Sequence, residues 1–229
     1  MKSRDTVDRL SPRRAIRAGW SRTRIPISAT MRVLDVGSGA FPHWRADVLC
    51  DGELEDNRHR AGLPAVIDRP FVIADAAALP FRDLAFDFVI ASHIAEHVED
   101  PDGLCEELGR VAFAGYVETP SPFADWLLHE DYHLWRVRNR RGVLHFRPKQ
   151  PRRRLVAAVN DRFYRVFYAA QPSCHRPVYR LPAGVSGKII RFLLRGFGGV
   201  LNRTGIMHTR YLFGQGRPMA CEVGKAGAT

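Results

Sequence analysis

The sequence predicts an α/β fold around a mostly parallel sheet, and three observations carry the prediction. Residues 31–118 contain a series of short apolar runs, each the length of a buried strand. Each run ends in a polar residue and is separated from the next by a connecting segment, the pattern of a parallel sheet. The chain has 229 residues, 45% hydrophobic and 26% charged, an ordinary balance for one substantial globular domain.

The elements follow in order. Residues 1–30 are Arg-rich and broken by Pro12 and Pro26, and read as a basic arm or short helix ahead of a domain over 31–229. Residues 33–36 form an apolar run that enters a tight loop at Gly37, Ser38 and Gly39. Residues 46–50, ending at Asp51, and 71–74, ending at Asp75, are the second and third predicted strands. Residues 86–91 are the fourth, with His93 just beyond. Over 102–111 the spacing of Leu104, Leu108 and Val111 predicts a helix with one apolar face. Residues 115–118 are a fifth strand, ending at Glu118. Ligands of such sheets bind at the carboxyl ends of the strands, where Gly37, Asp51, Asp75 and His93 fall.

Past residue 125 the pattern loosens. Residues 135–147 predict a hairpin around a glycine-containing turn, and 152–168 have helical spacing. Residues 209–213 and 219–223 read as a closing pair of strands. Residues 188–201 are basic and apolar, with three glycines that weaken a helix.

Charge divides the chain sharply. Residues 1–30 carry 8 basic and 2 acidic side chains, residues 31–130 carry 7 and 19, and residues 131–229 carry 20 and 3. The acidic centre and basic flanks are two electrostatic environments. Cys50, Cys105, Cys174 and Cys221 are scattered without a C-x-x-C pair, which disfavours zinc and redox dithiol motifs. No apolar run is long enough to cross a bilayer, and no secretory or transit pattern opens the chain. A cytoplasmic location, with contact to a membrane surface left open, is the expectation.

The chemistry concentrates at the strand ends. Gly37 and Gly39 let a ligand approach the backbone where a Cβ would otherwise stand. Asp51 can accept from two ribose hydroxyls, and Asp75 can accept from an exocyclic adenine amine. Together they describe an adenosine site.

The segments VLDVGSG (33–39), ADAAALPFRDLAFDFVIASHIAEHVEDP (74–101) and EELGRVAFAGYVETPSP (106–122) resemble the methyltransferase type 11 group of class I S-adenosylmethionine-dependent methyltransferases. The resemblance spans roughly residues 31–125. It implies a Rossmann-like, seven-stranded, mostly parallel sheet with an antiparallel edge hairpin, a cofactor half at 31–125 and an elaborated, basic acceptor side at 126–229. It implies S-adenosylmethionine as cofactor, with Asp35, Gly37, Ser38 and Gly39 around its methionine end. Asp51 falls at the ribose, Asp75 and Ala76 at the adenine, and His93 near the reacting methyl. Two departures stand out. Phe41 occupies the place of the family's third glycine. Only residues 40–45 separate the glycine loop from the second strand, too few for a full crossover helix. Pro42 also breaks the G-x-G-x-x-G pattern, which disfavours a nicotinamide dehydrogenase.

Methyl transfer from a sulfonium depends largely on placing the nucleophile in line. A hydroxyl acceptor would benefit from a general base, for which His93, Glu118 and His133 are the candidates, with His129 beside them. His129 and His133 are spaced to share one helical face. His97 reads as a structural brace for the helix after the fourth strand. His129, Asp131 and His133 could form a metal set, but nothing in the reaction needs one and no metal is expected.

Three readings of function remain open. A small-molecule or glycan/lipid-linked acceptor at an anionic membrane surface suits the basic, apolar stretch 188–201. RNA would suit the interleaved Arg and aromatic residues. A non-catalytic, cofactor-binding role would follow from the short first crossover.

Overall fold

The computed structural model describes residues 25–150, apart from 56, 58, 59, 61 and 129, together with 206–214 and 217–224. The expected helix at 152–168, the stretch 188–201 and most of the N-terminal arm lie outside the described residues. So do His129 and Cys174.

The described strands are β1 (Val33–Val36), β2 (Val48–Asp51), β3 (Phe71–Ile73), β4 (Phe86–Ser92), β5 (Ala112–Pro120), β6 (Trp135–Arg140), β7 (Val143–Pro148), β8 (His208–Phe213) and β9 (Cys221–Val223). The helices are α1 (Pro101–Val111) and α2 (Pro122–Leu128). Six strands form the main sheet in the order β3-β2-β1-β4-β5-β8, parallel except for β8, which runs antiparallel to β5. The expected seventh strand is not among the described residues. A second sheet has the order β6-β7-β9.

Burial explains the short apolar runs. All four residues of β1 are buried, as are all but one of β4, because both faces of the central strands are covered. Leu34, Val36, Val89 and Ala91 face one cluster with Leu104, Leu108 and Val111 of α1 and with Val137, Leu144 and Phe146 of the second sheet. Val33, Leu49, Phe88 and Ile90 face a second cluster covered in part by Ile25, Ile27 and Met31.

The predicted helical face of α1 is the buried one, with Cys105 added to it. Burying each large aliphatic side chain there contributes ~1.5–3 kcal/mol. Asp100 caps the helix by accepting from the Gly103 N–H at 2.9 Å, and Pro101 occupies the first turn, where a missing N–H costs nothing. Burial pushes the Cys50 thiol up to about 12, so it packs as an apolar group.

The β6–β7 hairpin forms as expected. Arg141 (φ 53°) and Gly142 (φ 81°) supply two consecutive left-handed residues, as a tight hairpin turn requires. The expected closing pair does not form. β8 joins β5 in the main sheet, whereas β9 runs parallel to β7 in the second. Local sequence could not separate these outcomes, because both partners lie far back in the chain. The first crossover contains no helix, in keeping with its length.

Candidate active site

The strand order reverses direction between β1 and β4, and a crevice opens at such a switch point beyond the carboxyl ends of the strands. The glycine loop leaves β1 on one side of it, and His93 leaves β4 on the other.

Backbone hydrogen bonds carry the β1 tip onto β2. The Gly37 and Ser38 N–H groups both donate to the Cys50 carbonyl, at 2.8 and 3.2 Å. Gly37 adopts φ 68°, and a Cβ there would lie 2.7 Å from the Ile94 side chain, so glycine serves both backbone and packing. The Gly39 N–H donates to Asp51 Oδ2 at 2.9 Å, joining the loop to the second tip. The Asp51 carbonyl accepts from the Ala74 N–H at 3.2 Å, joining the second tip to the third. The three tips at 37–39, 51 and 75 therefore form one continuous rim.

Each predicted residue on that rim has a definite setting. Asp35 is fully buried and accepts from the His43 N–H at 2.6 Å, which braces the short connection to β2. Ser38 is buried, and its Oγ has no hydrogen-bond partner among the described residues. Asp51 Oδ1 accepts from the Glu53 N–H, with the Arg60 guanidinium 3.9 Å from the same oxygen. Arg60 donates to the Glu53 and Leu54 carbonyls and so curls the following loop over the β2 tip. Asp75 is exposed and accepts from the Ala77 N–H, while Ala76 beside it is buried. This loop is pinned from behind by α1. Glu107 accepts from the Leu79 N–H, and Arg110 donates to the Leu79 and Phe81 carbonyls.

His93 sits at φ 57°, a conformation uncommon for a residue with a side chain. Its N–H donates to the Glu118 carbonyl at 2.7 Å, which fixes the turn off β4 against the end of β5. Its Nδ1 lies 3.3 Å from Glu96 Oε1, and its Nε2 lies 3.7 Å from Glu118 Oε1. Burial of the inner edge favours the neutral ring, but Glu118 and Glu96 outweigh it and raise the imidazole to about 9. The side chain is 43% exposed, so solvent screens part of that effect.

Glu118 is buried and anchored at Oε2 by the Tyr116 hydroxyl at 2.5 Å and by Arg210 Nε at 3.2 Å. His208 stacks edge-on against His93, with ring centroids 5.5 Å apart. Burial pushes His208 down to about 4, the Glu118 charge opposing and His93 and Arg210 adding to the fall.

His133 stands apart from this rim. It does not lie on the expected helical face, because α2 ends at Leu128 and His133 falls between that helix and β6. It is buried, with Nδ1 3.0 Å from Asp125 Oδ1. Burial alone would raise the Asp125 carboxyl, but His133 and Lys149 hold it well below the usual carboxylate range. His97 braces a different element from the one expected. Its ring stacks on Tyr132 and meets His133 edge-on, so it ties the 131–134 turn to the segment after β4 rather than supporting α1.

Sequence reasoning missed Glu96, His208, Arg210 and Tyr116. Tyr116 sits two residues before Glu118 on the same strand face, a signal that period-two spacing offered. His208 and Arg210 reach the site only because β8 pairs with β5, with Pro120 opposite His208 and Glu118 opposite Arg210.

Comparison with known proteins bears on the same segment. The profile of a methyltransferase domain family matches residues 49–115. An uncharacterized methyltransferase of Mycolicibacterium gilvum is 33% identical over 117 residues, covering 47% of this chain and 45% of that protein. A demethylmenaquinone methyltransferase of a Roseiflexus species is 33% identical over 108 residues, covering 42% and 45%. The chain thus spans under half the length of these curated relatives. Among solved structures, an S-adenosylmethionine-dependent methyltransferase from Mesorhizobium loti is similar at a TM-score of 0.36 and 19% identity, over 56% of this chain and 61% of that one.

Proposed function

We propose that the chain is a class I methyltransferase that transfers a methyl group from S-adenosylmethionine to a small-molecule or glycan/lipid-linked acceptor, a reading supported by the methyltransferase-domain match over residues 49–115. The observation that carries this reading is the continuous rim formed by the tips of β1, β2 and β3, through the Gly39–Asp51 and Asp51–Ala74 hydrogen bonds.

The residues present suit the cofactor. Ser38 Oγ is a buried polar atom in need of a partner, and Asp51 and Asp75 have carboxylate lone pairs left for hydroxyl and amine donors. Asp35, Gly37, Ser38 and Gly39 would hold the methionine end, Asp51 the ribose, and Asp75 with Ala76 the adenine. When bound, S-adenosylmethionine supplies a methyl group already activated by its sulfonium.

The chain's own contribution is placement and proton handling. His93 and Glu118 line the far side of the crevice, with Arg210 and Tyr116 fixing the Glu118 carboxylate. For a hydroxyl acceptor, neutral His93 takes the proton as general base, and Glu118 stabilises the imidazolium that forms. A cationic donor beside the ring favours its neutral form, opposing the pull of the two carboxylates. His133, buried against Asp125 away from the rim, is given no part in the transfer.

Incubating the chain with labelled methyl donor and fractionated cell extract tests the acceptor class. Label in the small-molecule or lipid pool is the expected result. Label confined to RNA would favour the basic half as an RNA surface, and S-adenosylmethionine binding by calorimetry with no label in any pool would favour a non-catalytic, cofactor-binding role. For the donor site, Asp51→Ala should weaken S-adenosylmethionine binding by ~1.5–3 kcal/mol, the range for a hydrogen bond to a charged group. Unchanged affinity by calorimetry would mean the ribose lies elsewhere.

A further inference from the structure

Behind His93, two stretches of chain bring together a carboxylate and two imidazoles. One ring nitrogen each of His97 and His133 and one oxygen of Glu96 lie within 4.8 Å of one another. Glu96 is 2% exposed, and neither carboxylate oxygen has a hydrogen-bond partner among the described residues. His93 Nδ1 reaches ion-pair range at 3.3 Å but not hydrogen-bonding geometry. The His93 ring offers an ion pair to Glu96 Oε1, while Oε2 is buried with no hydrogen-bond partner among the described residues, a setting that a further cation would satisfy.

The tautomers point to which cation. His133 Nδ1 lies 3.0 Å from Asp125 Oδ1, and His97 Nδ1 lies 3.4 Å from the Tyr132 carbonyl. At these shorter contacts Nδ1 is the nitrogen placed to donate, and a neutral ring protonated there has its lone pair on Nε2, open to a metal. His97 Nε2 faces Glu96 Oε1 at 3.8 Å. Metal-binding histidines are oriented in this manner, by a carboxylate or a backbone carbonyl at the far nitrogen.

We propose that Glu96, His97 and His133 bind one divalent cation of the zinc class, with Asp125 and the Tyr132 carbonyl holding the two imidazoles from behind. Two nitrogen ligands favour zinc and its transition-metal neighbours over magnesium or calcium. Three protein ligands leave a fourth position for water. Tetrahedral zinc spaces its ligand atoms roughly 3.3 Å apart, so side chains now within 4.8 Å need close by at most about 1.5 Å. Lys149 and Arg136, at 2.9 and 3.2 Å from Asp125, balance its charge and keep it as an orienting acceptor rather than a ligand. The proposal stands apart from methyl transfer. Its ligands approach one another only because the turn before β6 folds against the residues after β4, where the Leu134 N–H donates to the Glu96 carbonyl.

The test uses the whole chain, stripped with a chelator and titrated with Co2+ by visible absorption and with Zn2+ by calorimetry, with Mg2+ alongside. One equivalent of Zn2+, a tetrahedral cobalt spectrum and no Mg2+ binding are expected. Glu96→Gln should weaken zinc binding at least about tenfold, and Asp125→Asn about 10–100-fold. His97→Gln, at a partly exposed ring, serves where Glu96→Gln does not fold by circular dichroism. His208→Ala should leave binding unchanged, because the rival trio His93, Glu118 and His208 would otherwise be the site. Folded wild-type chain that binds no zinc overturns the proposal. So does zinc binding that survives Glu96→Gln or His97→Gln, or that is lost with His208→Ala.

Discussion

The His93 ring, set between Glu96 and Glu118, carries the pH dependence expected of the site. Its folded value is raised to about 9, so the protonated form is favoured and the neutral form appears only as pH rises. By linkage, this adds stability that is fully present below about pH 6.5 and is lost as pH climbs through about 9. If His93 is the general base, kcat/KM for a hydroxyl acceptor should rise with pH along a limb inside that window. Glu118→Gln should move the limb to lower pH, because one of the two charges that raise the ring is gone. A limb left in place would assign the proton to another group. At this scale the strand-tip residues were legible in the sequence, because each ends an apolar run. Glu96 was not, since its burial depends on residues 130–135, whose fold no local pattern reveals.

Among the elements, α1 does more than cover the sheet. Glu107 and Arg110 on its outer turns hold residues 79–83, and thereby steady the loop that carries Asp75. Asp100→Ala removes the cap that accepts from Gly103 and should cost about 1 kcal/mol in urea-unfolding free energy. A wild-type midpoint would show that the first turn is satisfied by water instead. The helix was predictable from the spacing of Leu104, Leu108 and Val111, and the β6–β7 hairpin from its glycine turn. The partners of β8 and β9 were not, because pairing across such sequence separations is chosen by packing rather than by local pattern.

Across the whole molecule, charge is segregated. Residues 31–130, which include most of the rim, carry 7 basic and 19 acidic side chains. Such a field favours the cationic donor over its neutral demethylated product. Raising ionic strength from about 0.01 to 1 M, which shortens the screening length from ~30 to ~3 Å, should therefore weaken binding of S-adenosylmethionine more than that of S-adenosylhomocysteine. Equal salt slopes in calorimetric titrations would leave the acidic centre without a role in donor preference. The parallel core of the sheet was readable from five apolar runs. The second sheet and the trio behind His93 were not, because they arise where distant stretches meet.

The pairing of β8 with β5 has a bearing on how the protein is made. Until residues 208–213 have left the ribosome, β5 lacks its β8 partner and Glu118 lacks the Arg210 guanidinium. Nascent chains stalled before residue 206 should thus expose a sticky border to one another. A factor that shields that border during synthesis would raise the yield of soluble protein.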